Sequence, residues 1–387
     1  MPAGRTWKAA MLAATAAVLA VRASAAGELD PEKPRLRPEK DDEESAKHFA
    51  LALAQQQLNL LDEAEASYER AILADAGAWP AGLRQKIALY GEVLQWQGKT
   101  KAAREVYAAA VQSGLFEQPS ERPMVLVSDS RVSMRESAWY EAAELQSSYP
   151  GLERVRQLAE AAAGDVRAEY LAYRAAHPEL MRAHPDRIVS APSDGWMQLP
   201  LTNESDARSG AHWDCHGFCP RAAALLEEIE SELCYGKVCP RRAEFSILRA
   251  GAWLRPHCGP TSLSLTLHLG LVCPGTSANA LQEHSGEGVG SKDGDTADET
   301  DAAQFCLAGE CRPWREGQLF VFNEAFEHEA NGALDGDRVV LLMKVPHPGL
   351  PRETYERLYA EYLGNSSLMD SVRAVGENRL LQDYASR

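Results

Sequence analysis

Positive charge is what this chain is short of. Forty Lys and Arg face 56 Asp and Glu, a formal net charge of −16, and no basic stripe breaks that balance. Gripping phosphates requires such a stripe, so nucleic acid is excluded as a partner. Long apolar runs are missing as well: Ala9 to Val21 falls short of the ~20 residues that a membrane span needs. Cysteine is absent from the first 214 residues, and all eight fall in the remainder.

At 387 residues the chain has room for two or three domains. Arg5 and Lys8, the apolar run after them and Ala23-Ser24-Ala25 read as a secretory signal peptide over residues 1–25. The competing readings are an uncleaved short anchor and an organelle transit peptide. Two sequons, at Asn203 and Asn365, fit a lumenal route and add little weight to it. Residues 26–45 are charged and aperiodic and read as a linker. Over 46–116 a helical texture follows, in which Asp62-Glu63-Ala64, Tyr68 and Ala71 recur as Lys101-Ala102-Ala103, Tyr107 and Ala110. Small Ala at a helix crossing followed by Tyr resembles the tetratricopeptide repeat; a plain Ala-packed helical hairpin is the alternative. Gln118 to Val132 reads as a boundary, Trp139 to Tyr173 as helix, Asp194 to Leu201 as the first strand of a barrel, and Ala222 to Leu233 as a helix.

The cysteines fall into near pairs, Cys215 with Cys219, Cys234 with Cys239, Cys306 with Cys311, and Cys258 with Cys273. In a lumenal chain an even count points to disulfides, although spacing does not give their connectivity. A four-thiolate zinc site at 215, 219, 234 and 239, with His212 and His216 near, is a weaker alternative because both spacings exceed the usual two residues. Residues 277–303 read as a disordered acidic insertion in which Asp293 onward only faintly resembles a calcium loop. Residues 351–387 read as C-terminal helices.

Chemistry concentrates in two stretches. In Phe245 to Leu271, Ser262, Ser264, Thr266 and His268 alternate with leucines, the period of a strand with one apolar and one polar face. His257 precedes it in Pro-His-Cys-Gly-Pro. In Gly317 to Pro348, Leu319 to Phe322 reads as a strand, His328 as part of a polar turn, and Arg338 as the head of the apolar run to Val345. Two imidazoles at strand ends, with an arginine one strand further, suit a metal beside a dicarboxylate. The ordered set His257-x-Gly-Pro, His-Leu-Gly-Leu at 268–271, Phe-Glu-His-Glu at 326–329, Arg338 and His347-Pro348 resembles the aspartyl/asparaginyl β-hydroxylase family.

That resemblance, over residues 139–350, implies an α+β chain: a helical repeat-like domain, then a double-stranded β-helix (jelly-roll) oxygenase. It implies a dioxygenase using Fe(II), 2-oxoglutarate and O2, with His257 and His328 as ligands and no carboxylate between them, since Gly259 stands where other oxygenases carry Asp or Glu. It also implies Arg338 and Ser246 on the distal cosubstrate carboxylate, Trp196 lining the pocket and His268 near the carboxylate at iron. The expected partner is a polypeptide of the endoplasmic reticulum lumen or the secreted fraction, containing Asp or Asn and of a disulfide-rich kind. Thr266 departs from the pattern, which usually has Arg there; weaker cosubstrate binding, substitution by Arg249 or Arg255, and loss of activity are the three readings that this leaves open. The rivals are a decayed barrel serving as a binding scaffold and an oxygenase acting on a lipid or small molecule.

Overall fold

The computed structural model describes residues 39–74, 80–123, 137–184, 188–189, 195–201, 217–233, 243–275 and 302–360. The signal peptide, both sequons, Cys215, Cys234, Cys239, the acidic insertion up to residue 301 and the far C-terminus lie outside these residues; the expectation of disorder up to 303 fails at Ala302 and Ala303, which are buried.

Four helices come first: α1 (Glu39–Gln57), α2 (Leu61–Ala74), α3 (Pro80–Trp96) and α4 (Thr100–Gln112). The linker expected to reach residue 45 ends sooner, because Glu39 to Glu44 are already helical. Glu and Lys are good helix formers, and charge alone does not prevent a helix that packs on a neighbour. The repeated pattern becomes packing: Ala64, Tyr68 and Ala71 are buried on α2, and Ala103, Tyr107 and Ala110 on α4. A Cβ at Gly91 would stand 2.3 Å from the Tyr107 ring, so glycine on α3 is what admits that tyrosine. These helices share one apolar core, from Phe49 to Phe116.

After them come α5 (Ala142–Ser148), α6 (Pro150–Ala176), α7 (Pro220–Leu233) and ten strands. In chain order these are β1 (Arg182–Ala183), β2 (Trp196–Pro200), β3 (Ala243–Leu248), β4 (Trp253–His257), β5 (Ser264–Val272), β6 (Gln304–Leu307), β7 (Glu310–Pro313), β8 (Leu319–Phe322), β9 (His328–Asn331) and β10 (Arg338–Pro346). They form an antiparallel sheet ordered β1-β2-β3-β10-β5-β8 and a second ordered β4-β9-β6-β7. The outer face of the larger sheet carries Phe245, Leu265, Leu267, Leu269 and Leu341, which pack on Leu152, Val155, Val166, Leu226 and Ile229 of the helices. Its inner face meets the smaller sheet around Trp196, Phe305, Trp314, Phe322 and Ala330.

Several expectations are corrected here. Trp139 does not open a helix; it bridges Phe322, and helix begins at Ala142. The strand at 196–200 is preceded by the short β1. His328 begins β9 and is not in a turn. The polar face that alternation gives β5 is an interior one, with Ser264, Thr266 and His268 as buried as the leucines. Arg338 lies in the opposite sheet from His328, between β3 and β5. Cys306 and Cys311 are bridged across the β6–β7 hairpin, and Cys219 is disulfide-bonded, which withdraws it from any zinc site. Cys258 and Cys273 remain thiols, both buried.

Candidate active site

Because β4 and β9 pair antiparallel with His257 opposite His328, both imidazoles leave the smaller sheet at one level. Their ring centroids are 4.1 Å apart at an interplanar angle of 54°. Each ring is fixed by its own strand: His257 Nδ1 lies 2.7 Å from Arg255 O and His328 Nδ1 2.8 Å from Phe326 O. A carbonyl accepts only, so these bonds assign the proton to Nδ1 and the lone pair to Nε2, the arrangement of a metal-bound histidine. Burial, reinforced by the charge of His257, pushes His328 down to about 3. It is therefore neutral at physiological pH, as a ligand must be.

Among the described residues no third ligand joins them, and no group of three or more His, Cys, Asp and Glu could hold a metal. The place two residues after His257 is taken by Glu324, whose Cγ would stand 2.3 Å from a Cβ at Gly259. Glu324 accepts hydrogen bonds from Thr266 Oγ1 at 3.0 Å and from Lys344 Nζ at 2.5 Å. Lys344 is the residue directly opposite Thr266 across β5 and β10, so the cation beside this position comes from β10. Arg255, one of the expected substitutes, instead donates to Asn59 Oδ1 at 2.8 Å and lies over Trp96.

On the larger sheet Arg338 is 1% exposed. Its Nη1 donates to Ser246 O at 3.3 Å, its Nε has no partner, and its guanidinium sits 4.3 Å from the centroid of Trp314. Among the described residues no carboxylate faces it, and burial pushes its pKa down to about 10. A buried cation without an anion is costly, and a planar fork in that state fits a carboxylate guest. The Ser246 hydroxyl accepts from Trp196 Nε1 at 2.9 Å, and Trp196 stacks on His184 with 3.3 Å between centroids.

His268 lies between the two groups. Burial lowers its pKa well below the usual value, with further lowering from Arg338 and then His328. Its Nδ1 is without a partner, and Phe305, Trp314 and Phe322 pack around the ring. The structure thus brings His257 with His328, and Arg338 with Ser246 and Trp196, onto one interior. Glu324, Lys344, Trp314 and His184 were not foreseen. Only Lys344 left a signal, a lone charge within an apolar strand.

The residues present fit a ferrous ion held by two imidazoles with a dicarboxylate running inward to Arg338. The fit rests on the two carbonyl-oriented rings and the orphaned guanidinium.

Comparison with known proteins finds the family described as Aspartyl/Asparaginyl beta-hydroxylase over residues 160–348, the stretch that carries these side chains. A Mus musculus protein named Aspartyl/asparaginyl beta-hydroxylase is 30% identical over 156 residues, which are 40% of this chain and 17% of that one. This chain therefore matches only a small part of that relative's length. The Rhizobium tropici protein named Ornithine lipid ester-linked acyl 2-hydroxylase is 30% identical over 130 residues, 34% of this chain and 35% of that one. Among solved structures, a Pseudomonas putida prolyl-4-hydroxylase aligns at a TM-score of 0.28 and 16% identity, over 47% of this chain and 85% of that one.

Proposed function

We propose that this chain, which resembles the aspartyl/asparaginyl β-hydroxylases where its site lies, is a dioxygenase dependent on Fe(II) and 2-oxoglutarate. In this reading the facing sheets are the walls of a double-stranded β-helix. His257 and His328 hold the metal through Nε2. Arg338 receives the distal carboxylate of 2-oxoglutarate in parallel hydrogen bonds, next to the Ser246 hydroxyl and the Trp196 indole. His268, neutral and unbonded at Nδ1, stands beside the metal-proximal end, where a ring N–H can reach a carboxylate. The metal when bound couples the decarboxylation of 2-oxoglutarate to succinate and CO2 with insertion of one O2 oxygen into a C–H bond. The aromatic lining of Phe305, Trp314 and Phe322 keeps bulk water from that bond.

The substrate proposed is the β-carbon of Asp or Asn in a polypeptide of the secretory pathway. The Cys306–Cys311 bridge supports an oxidising compartment. Among the described residues no helix is long and apolar enough to cross a membrane. A lipid acyl chain is the second reading, favoured by the Rhizobium tropici relative.

The observation carrying the proposal is Arg338, a sealed guanidinium awaiting an anion on the interior reached by both imidazoles. Anaerobic titration of Fe(II) and 2-oxoglutarate tests it: a visible charge-transfer band is expected, and its absence with both histidines intact refutes the oxygenase. Succinate release stimulated by an Asp-containing disulfide-rich peptide and not by ornithine lipid selects the first substrate; the reverse selects the second.

A further inference from the structure

The residues flanking the two histidines are bonded by the helical segment that precedes the barrel. On one side of His257, Trp96 Nε1 donates to Pro256 O at 2.9 Å. On the other, the Cys258 N–H donates to Glu92 Oε1 at 3.0 Å. Both come from α3, one turn apart on a single face. The approach to His328 is held in the same way by the segment that follows α4. Arg122 N donates to Ala325 O at 3.0 Å and Glu327 N to Ser120 O at 2.6 Å, while Glu121 bridges Phe326. The Glu327 side chain then accepts from Arg122 Nη2 at 2.6 Å and from Gln95 Nε2 at 2.8 Å. Arg122 is 1% exposed and lies over Tyr107, 3.8 Å from its centroid, which ties this strap back into the helical core.

The smaller sheet alone does not supply this rigidity. Its register slips between Leu254 and His257, so the end of β4 is irregular just where the first imidazole must be aimed. Trp96 bonds Pro256 inside the irregular stretch and Glu92 bonds Cys258 just past it, so the two hold His257 from both sides. We infer that the helical domain is part of the metal site's support: it sets the spacing and aim of His257 and His328, with Glu92, Trp96 and Arg122 as positioning residues. Metal binding and domain docking then stabilise each other, since a ligand that selects one backbone geometry favours everything that enforces it. The inference rests on the two-histidine reading above.

Mn(II) binding to the full-length chain, read from the free-ion signal in electron paramagnetic resonance, tests it without requiring turnover. Outer supports of metal ligands are typically worth about 10- to 100-fold in affinity. Glu92→Leu removes the acceptor for Cys258 N, and Trp96→Phe removes the N–H to Pro256 O and leaves a smaller aromatic ring under Arg255. Each is expected to weaken Mn(II) by about 10-fold or more. Glu92→Gln, which keeps an acceptor oxygen in place, is expected to bind like the parent. Ile72→Ala, in the helical core away from the barrel, is expected to lower the melting temperature and leave Mn(II) affinity unchanged. If Glu92→Leu does not fold, Trp96→Phe carries the test.

Folded variants that bind Mn(II) like the parent overturn the inference, and so does Glu92→Gln failing as badly as Glu92→Leu. Should the parent take up no Mn(II) at all, the two-histidine reading falls and takes the inference with it. Parent binding lost in His257→Ala but untouched in the supporting variants sinks the inference alone.

Discussion

The two faces of β5 are built on opposite rules. Leu265, Leu267 and Leu269 point to the helices, where apolar surface meets apolar surface and no polar atom needs a partner. Thr266 and His268 point to the other sheet, with Arg338, Trp314 and Lys344 around them, and there buried polar atoms remain unsatisfied on His268, Arg338 and Trp314. Both faces are equally sealed, so burial does not separate them. What separates them is whether the sealed groups are complete without a guest. Native interiors satisfy nearly all of their polar atoms, so a cluster that does not is a place where stability has been given up for binding.

The sharpest way to break this contrast is Arg338→Met. Removing a buried, unpaired charge is expected to leave the fold as stable or more so, while 2-oxoglutarate binding falls about 100-fold or more with the loss of two charge-assisted bonds. A melting curve and a keto-acid titration on one sample check both halves. Leu267→Ala should do the opposite, costing about 2–5 kcal/mol in denaturant unfolding with little change in the keto-acid affinity of the folded fraction.

A smaller effect concerns acid. His347 is wholly buried against Tyr140, 2.7 Å from its hydroxyl, and burial pushes its pKa from 6.5 down to about 4. Between those values the unfolded chain takes up a proton that the folded one refuses. The stability is therefore intact above pH 6.5 and lost as pH falls toward 4, by on the order of 3 kcal/mol. Melting temperature against pH should show this slope, and His347→Gln should flatten it. Least costly is the Cys306–Cys311 bridge, which spans a separation of 5 residues. Replacing both by Ser should cost about 2 kcal/mol, measured by thermal unfolding with and without reductant.

The alternation in β5 could be read because its period is local, and Arg338 because it heads the apolar run Val339 to Met343. The pattern of one strand separates a polar from an apolar face, but it does not reveal the second sheet that covers the polar one. Thr266, Lys344 and Glu324 make one cluster only once β10 lies in register beside β5, and no spacing in the chain announces that register. The bonds from Trp96 to Pro256 and from Gln95 to Glu327 join residues 160 and 232 positions apart. Local periodicity cannot reach so far. The misread linker has a simpler origin: Glu39 to Glu44 were judged by charge, whereas α1 is decided by propensity and by its packing on α2.

Gly259 limits how this chemistry could be altered. Converting the pair of imidazoles to a three-ligand centre looks like a one-codon change to Asp, yet the new side chain would enter the space of Glu324, which is pinned by both Thr266 and Lys344. The intermediate sequence would carry two crowded acids and a displaced lysine. Reaching the three-ligand design from here requires at least two coordinated replacements, and a mutational path that takes them singly descends before it climbs.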